Sequence, residues 1–345
     1  MRAPQNRAAK QPAVTKPPMD GRAGPALASQ AQRAFAGRKP PKLAKALWSK
    51  APALVLPKRC TAEEALAATL AAGLKHLKAN EDCARFGTHI EGVHQVRIAL
   101  RRLRAALALY KIFIPTLPRK RLKDRLATQA TALGDARDWD VFLTETLAFA
   151  TVEHAGDAGL ALLDREARRL HKAAYAKVRH ALDAGVFAAL KRDVDHLIAQ
   201  HRNAPARVPL AIDFAAEVLD NTHRKLKRRG KHIVKMSAEE RHHFRIQVKK
   251  MRYACEFFAP LFPGARESEY HSTLRALQDD LGLLNDLAGA RALIASLSTG
   301  TTARHQRLAQ AGARVIEVHH KAERAREAKL EDHWHALKHA KPFWR

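Results

Sequence analysis

From Thr61 onward, apolar residues recur every three to four positions, and no stretch keeps the two-residue rhythm of a strand. Leu66, Leu70, Leu74 and Leu77 open the pattern behind Thr61-Ala-Glu-Glu64, where a hydroxyl and a carboxylate three residues apart make a capping box. The body is rich in the strong helix formers Ala, Leu, Arg and Lys, so the expected fold class is all-α. Breaks are expected at 87–92, 115–118, 134–138, 156–159, 183–185, 203–209, 229–231, 260–264, 282–286 and 299–301, dividing the body into about ten helices.

The first 59 residues follow a different rule. They carry 13 Lys/Arg against the single acid Asp20, hold 9 of the 16 prolines once 57 is included, and offer few large apolar side chains to offset the entropy of ordering. Residues 1–59 are therefore expected to be a disordered basic tail, with a short helix around Lys42–Trp48 and no secretory signal or transit helix.

The body repeats itself. His94-Gln-Val-Arg97-Ile-Ala-Leu-Arg101-Arg102-Leu-Arg104 returns 148 residues later as His242-His-Phe-Arg245-Ile-Gln-Val-Lys249-Lys250-Met-Arg252. The same offset carries Pro115 onto Pro263, Leu126 onto Leu274, Leu133-Gly134 onto Leu281-Gly282, and Asp138 onto Asp286; upstream it slips by one residue. Two copies of one helical unit are expected, about 61–205 and 209–340, related by a pseudo-two-fold, because array repeats have shorter periods and more copies.

On a helix, His94, Arg97, Arg101 and Arg104 share about a quarter of the circumference, beside an apolar stripe of Val96, Leu100, Leu103, Leu107 and Tyr110. His242, Arg245, Lys249 and Arg252 repeat the arrangement beside Phe244, Val248, Met251, Cys255 and Phe258, while Arg102 and Lys250 point to a neighbouring surface. No acid interleaves at four-residue spacing, although stacked like charges cost helix stability. A third helix gathers Arg165, Arg168, Lys172, Tyr175 and Arg179 on one arc, and the last helix carries Arg314, Lys321 and Arg324 with Glu317 interrupting. Such faces fit phosphate groups, Arg through a planar fork and Lys as a point charge. If a pseudo-two-fold sets the two motif helices face to face, they form a central cationic channel that focuses its field on a linear anion.

Composition sharpens this picture. Among 345 residues, 62 Lys+Arg outnumber 34 Asp+Glu, a formal charge of +28 before any of the 19 His is counted. An excess this large repels itself and calls for a polyanion: nucleic acid, an acidic membrane surface or a phosphate polymer. No uncharged apolar run approaches the roughly 20 residues of a membrane span, so a soluble protein is expected. Cys60, Cys83 and Cys255 are odd in number and lack CxxC spacing, which fits inert thiols in a reducing compartment.

The doubled His-x-x-Arg-x-x-x-[Arg/Lys]-[Arg/Lys]-x-Arg, each copy followed by Leu-Gly-x-x-[Arg/Asn]-Asp, resembles the CHAD domain, the conserved histidine α-helical domain, over residues 60–345. The resemblance implies two pseudo-symmetric helical bundles around a basic cavity, with inorganic polyphosphate as ligand. Bacterial relatives called phosins associate with polyphosphate granules, which implies a cytoplasmic, granule-associated protein. It also implies that His94, Arg97, Arg101, Arg102, Arg104, His242, Arg245, Lys249, Lys250 and Arg252 form the lining. The Glu-x-Glu-x-Lys signature of the fused triphosphate-tunnel domain is absent, so non-enzymatic binding is expected, with no catalytic residues, cofactor or metal.

Other chemistry fits less well. Arg at i+3 and i+7 repels a dication from His94 and His242, and nothing supplies the base or the Mg²⁺-holding acids of phosphoryl transfer. The His are read as phosphate contacts that gain charge in mild acid. Asp138 and Asp286 are read as helix N-caps or partners of basic side chains. The alternative ligand is RNA or DNA, against which stand an aromatic content of 6% without a stacking platform and the lack of a helix-turn-helix or zinc-finger signature.

Overall fold

A computed structural model describes residues 47–183, 185–202, 209–265 and 268–345. The described residues form helices joined by short turns, and the sole β-type contact is one antiparallel bridge between Thr61 and Leu210. The all-α expectation is met. Helix α1 (Ala62–Phe86) starts at the expected capping box: the Thr61 hydroxyl accepts from the Glu64 amide, and the Glu64 carboxylate accepts from the Thr61 amide at 2.8 Å. It ends at Gly87, whose φ of 62° is the left-handed region that glycine enters without penalty.

Helix α2 (Ile90–Leu109) carries the first motif and buries Val93, Val96, Leu100, Leu103 and Leu107 against its neighbours. It crosses α1 so tightly that a Cβ at Gly92 would lie 2.6 Å from the Ala84 nitrogen. The chain continues through α3 (Thr116–Ala132), α4 (Gly134–Val141), a π turn at Phe142–Thr146, α5 (Leu147–Glu153), α6 (Ala158–Asp183) and α7 (Gly185–His201). Helix α8 (Ala211–Arg229) and a 3₁₀ turn at Gly230–Lys235 lead into α9 (Ala238–Phe258), which carries the second motif. A second capping box, Ser237 with Glu240, opens α9. Helices α10 (Glu269–Ser298) and α11 (Ala303–His339) complete the order.

The 148-residue spacing extends to boundaries, since α2 shifted by it covers 238–257 and α9 runs 238–258. Residues related by this spacing also meet. The Tyr110 and Phe258 rings lie 5.5 Å apart, with Phe214 packed on both, and the bridge pairs Thr61 with Leu210 at the slipped register. Tyr110, Phe214 and Phe258 form an aromatic knot where α2, α8 and α9 meet, and Tyr110 and Phe258 in it are wholly buried.

Three expectations need correction. No break occurs at 282–286: α10 runs straight through, because Leu277, Leu281, Leu287, Ala290 and Ile294 bury one face on both sides and outweigh the ~1 kcal/mol cost of Gly282. Asp286 consequently lies inside α10, and Asp138 lies inside α4, so of the two readings given for them the N-cap fails and the partner of a basic side chain, Arg97 for Asp138 and Arg245 for Asp286, is the one the structure supports. The third concerns the segment expected to be disordered, 1–59. Residues 1–46, with most of the expected short helix at Lys42–Trp48, lie outside the described residues, as does 203–208 in the expected break at 203–209. The stretch 47–59 instead packs on the body: Leu54 and Leu56 are buried, and the Ser49 amide donates to Asn80 Oδ1 at 2.9 Å. The two leucines act together with Asn80, which also donates to the Ser49 carbonyl at 3.0 Å, and with Trp48, whose ring lies 6.0 Å from that of His89.

Candidate functional site

The motif helices bring their basic faces together. Arg101 of α2 acts on both Arg245 and Lys249 of α9, while Arg97, next to it, is flanked by Arg101 and Arg137. Burial and these like charges depress the Arg97 and Arg245 guanidiniums, and they bring Lys249 from 10.5 down to about 7. His94 is pushed to about 3, by burial first and then by Arg137, Arg101 and Arg97. It is therefore neutral in mild acid. Lys249 carries a charge change near neutrality, contrary to the expectation placed on His94. His242, the counterpart of His94, is exposed, with its ring 6.2 Å from that of His243.

Carboxylates offset part of this charge. Asp138 is the opposing charge that acts most on Arg97, and Asp286 approaches Arg245 at 3.9 Å, too long for a hydrogen bond. Asp138 and Asp286 also feel each other across the site, and burial raises Asp138. Arg97 donates to the Ala130 carbonyl at 2.6 Å, which fixes its reach. Among the described residues, Arg101, Arg104 and Lys249 have no ion-pair partner, and the Nε atoms of Arg101, Arg104 and Arg245 are buried without a hydrogen bond. Buried donors of this kind are costly unless an acceptor arrives.

Other expected lining residues are placed differently. Glu256 accepts from Arg102 and, at 2.7 Å, from Arg252, with Arg102 over the Phe257 ring and Arg252 over Tyr253. Lys250 faces away from Lys249, toward Lys123, Lys225 and Arg229. Arg168 is held by Asp164 at 2.6 Å, and Arg314 by Asp157 at 2.9 Å. Arg165, Lys172, Arg179 and Lys321 stand exposed on α6 and α11. None of these six is among the charges acting most strongly on His94, Arg97, Arg245 or Lys249. Tyr175, grouped with them by helical angle, turns inward and donates to Asp140 at 3.1 Å.

Arg137 is the residue the stripe alone misses. It sits half-buried on α4 beside His94 and Arg97, with Glu145 3.9 Å away. Its signal was in the Leu133-Gly134-Asp135-Ala136-Arg137-Asp138 motif, whose second copy has Asn285 at that position.

The model of the CHAD domain family matches residues 68–295 of this chain. The chain belongs to the CHAD family. The crystal structure of the CHAD domain from the plant Ricinus communis is similar at 27% identity, with a TM-score of 0.75 over 86% of this chain and 99% of that one. PptA from Streptomyces chartreusis shares the fold at 17% identity and a TM-score of 0.62, covering 80% of this chain and 100% of PptA. No curated protein matches the chain. No helix of this CHAD protein among the described residues is long and apolar enough to cross a membrane.

Proposed function

We propose that this CHAD protein binds inorganic polyphosphate between its motif helices, without turning it over, and that it associates with polyphosphate granules in the cytoplasm. The observation that carries this reading is the group around Arg101. Its charge acts on Lys249, its counterpart, and on Arg245 and Arg97, with Arg137 acting on Arg97 as well, and Arg101 has no carboxylate partner of its own among the described residues. Asp138 and Asp135 oppose Arg97, Asp286 lies 3.9 Å from Arg245 and Glu145 3.9 Å from Arg137, while Arg101 and Lys249 have no ion-pair partner among the described residues, so their charge is open to an anion with many oxygens and a regular charge spacing.

The packing of Tyr110 on Phe258, together with the electrostatic influence of Arg101 on Lys249 and of Asp286 on Asp138, supports a pseudo-two-fold through the site, because residues near a two-fold axis lie near their own counterparts. A linear polymer presents the same groups in both directions and suits such an axis. The non-enzymatic part of the reading rests on His94, whose depressed basicity leaves it a hydrogen-bonding group at neutral pH.

Titration of the folded chain with polyphosphate tests the reading. The quadruple variant Arg97→Glu, Arg101→Glu, Arg245→Glu and Lys249→Glu is expected to lose binding while keeping its helical circular dichroism; retained affinity in that folded variant refutes the site. Competition at equal phosphate concentration is expected to favour polyphosphate over RNA and duplex DNA. Nucleic acid winning reverses the assignment.

A further inference from the structure

The turn between α2 and α3 leaves two large aliphatic side chains in water. Tyr110 and Ile114 are buried, and the Phe113 ring packs on Phe214 at 5.1 Å. Ile112 and Leu117, by contrast, are 66% and 58% exposed, and Pro115 and Pro118 beside them are exposed too. Five residues separate the two aliphatic positions, at most about 18 Å of extended chain. The Phe113 amide donates to the Tyr110 carbonyl and the Arg119 amide to the Pro115 carbonyl, both at 3.1 Å, so the actual path is shorter. Around these side chains, residues 111–123 carry Lys111, Arg119, Lys120, Arg121 and Lys123 and no acid.

The duplication supplies an internal control. The 148-residue offset carries 111–123 onto 259–271, where Arg266 stands against Glu267 and Glu269. Ile112 falls on Pro260 and Leu117 on Ala265, which is buried, as are Ala259 and Leu261. Phe343 packs on Phe262 there, with ring centroids 5.8 Å apart. The same turn is thus covered and mildly acidic in one half, bare and strongly basic in the other. Single exposed aliphatic residues are ordinary, and Phe149 with Val152 make another exposed pair. That pair has Glu153 beside it and Phe149 on the His319 ring at 5.2 Å, whereas the α2–α3 turn joins its aliphatic groups to cations alone.

Polyphosphate or a nucleic-acid backbone would satisfy the cations and leave Ile112 and Leu117 in water. A second copy of this turn, or the chain's own basic first segment with 13 Lys/Arg against a single acid, would bring like charge to it. An anionic bilayer meets both demands at once, with phosphate headgroups for the cations and the acyl boundary for the aliphatic groups. We propose that the α2–α3 turn docks the protein on an anionic lipid surface, with Ile112 and Leu117 inserted and Lys111, Lys120 and Arg121 on the headgroups. The proposal stands apart from the polyphosphate reading. Helix α2 carries Arg101 about two turns before its last residue, so one rigid helix joins the central cationic group to the docking turn.

Flotation of the full chain with vesicles tests this, using phosphatidylcholine alone and phosphatidylcholine mixed with phosphatidylglycerol. Binding is expected to the mixed vesicles and not to the neutral ones. A chain of formal charge +28 is drawn to any anionic surface, so the decisive variant is Ile112→Ser with Leu117→Ser, which keeps every charge. It is expected to lose about tenfold or more in vesicle affinity while its polyphosphate titration and Tm stay at the wild-type values. The charge variant Lys111→Gln, Lys120→Gln and Arg121→Gln is expected to lose about a hundredfold. Insertion is read from Leu117→Cys carrying an environment-sensitive maleimide fluorophore, which reaches that position selectively because Cys60, Cys83 and Cys255 are buried. Its emission is expected to shift to the blue on mixed vesicles and to stay unchanged with polyphosphate.

An Ile112→Ser, Leu117→Ser variant that floats with the mixed vesicles as the wild type does overturns the proposal, because only diffuse attraction is then at work. A label that stays in water on vesicle-bound protein overturns it as well. Loss of polyphosphate affinity in that variant, with vesicle binding intact, reassigns the turn to the polymer. The central variant Arg101→Glu with Lys249→Glu is expected to keep the blue shift on mixed vesicles; its disappearance there places the lipid on the central group and overturns the docking turn.

Discussion

Lys249 and Lys250 are neighbours in sequence, yet only Lys249 is brought down to about 7. Between about pH 7 and 10.5 the unfolded chain holds a proton that the folded Lys249 has released, so this group's contribution to stability rises with pH across that window. A bound polyanion reverses the pull and returns the proton. Affinity is accordingly expected to be flat below about pH 7 and to decline above it, with proton uptake on binding measurable by calorimetry in buffers of different ionisation enthalpy. Lys249→Arg is expected to flatten the profile, and His94→Gln to leave its shape unchanged between pH 5 and 8, since His94 titrates near 3. A profile that follows His94 instead refutes the placement of the charge change. Glu256 is the other decisive residue, holding two arginines that the family resemblance placed in the lining. Glu256→Gln is expected to cost about 1–3 kcal/mol in a denaturant titration, because two half-buried guanidiniums lose their shared acceptor charge.

At the scale of elements, the position of α2 depends on its approach to α1. With backbone only 2.6 Å from a Cβ at Gly92, the two helices cannot both stay in place around a side chain there. Gly92→Ala is expected to destabilise by about 1–3 kcal/mol and to weaken polyphosphate binding, as Arg97 and Arg101 move with the helix; an unchanged midpoint refutes the tight crossing. The helices themselves were readable in the sequence, since the spacing of Leu66, Leu70, Leu74 and Leu77 and both capping boxes are local signals. Gly282 was misread for the opposite reason. A glycine signals a break only when nothing else holds the helix, and what holds α10 is a long buried face.

For the whole molecule, the surplus of cations makes stability depend on dissolved anions. Polyphosphate is expected to raise Tm in proportion to the logarithm of its concentration above Kd, and added sodium chloride to erode that gain. An absence of any shift at saturating polymer refutes binding to the folded state. The aromatic knot of Tyr110, Phe214 and Phe258 is the mechanical counterpart of the site, since it ties together the helices that carry the two motifs. Phe258→Ala is expected to cost about 3–5 kcal/mol in chemical denaturation.

The sequence by itself determined the helices, their period and the basic face of each motif, because hydrophobic spacing and charge spacing act within a few turns of one chain. It also marked His94, Arg97, Arg101, Arg245 and Lys249 as a candidate group. Only the tertiary structure decided which charges remain open. Glu256 reaches Arg102 across 154 residues, Asp157 reaches Arg314 across 157, and Lys250 turns toward two other helices. Coulomb interaction depends on distance in space, and packing sets that distance after the local pattern has done its part.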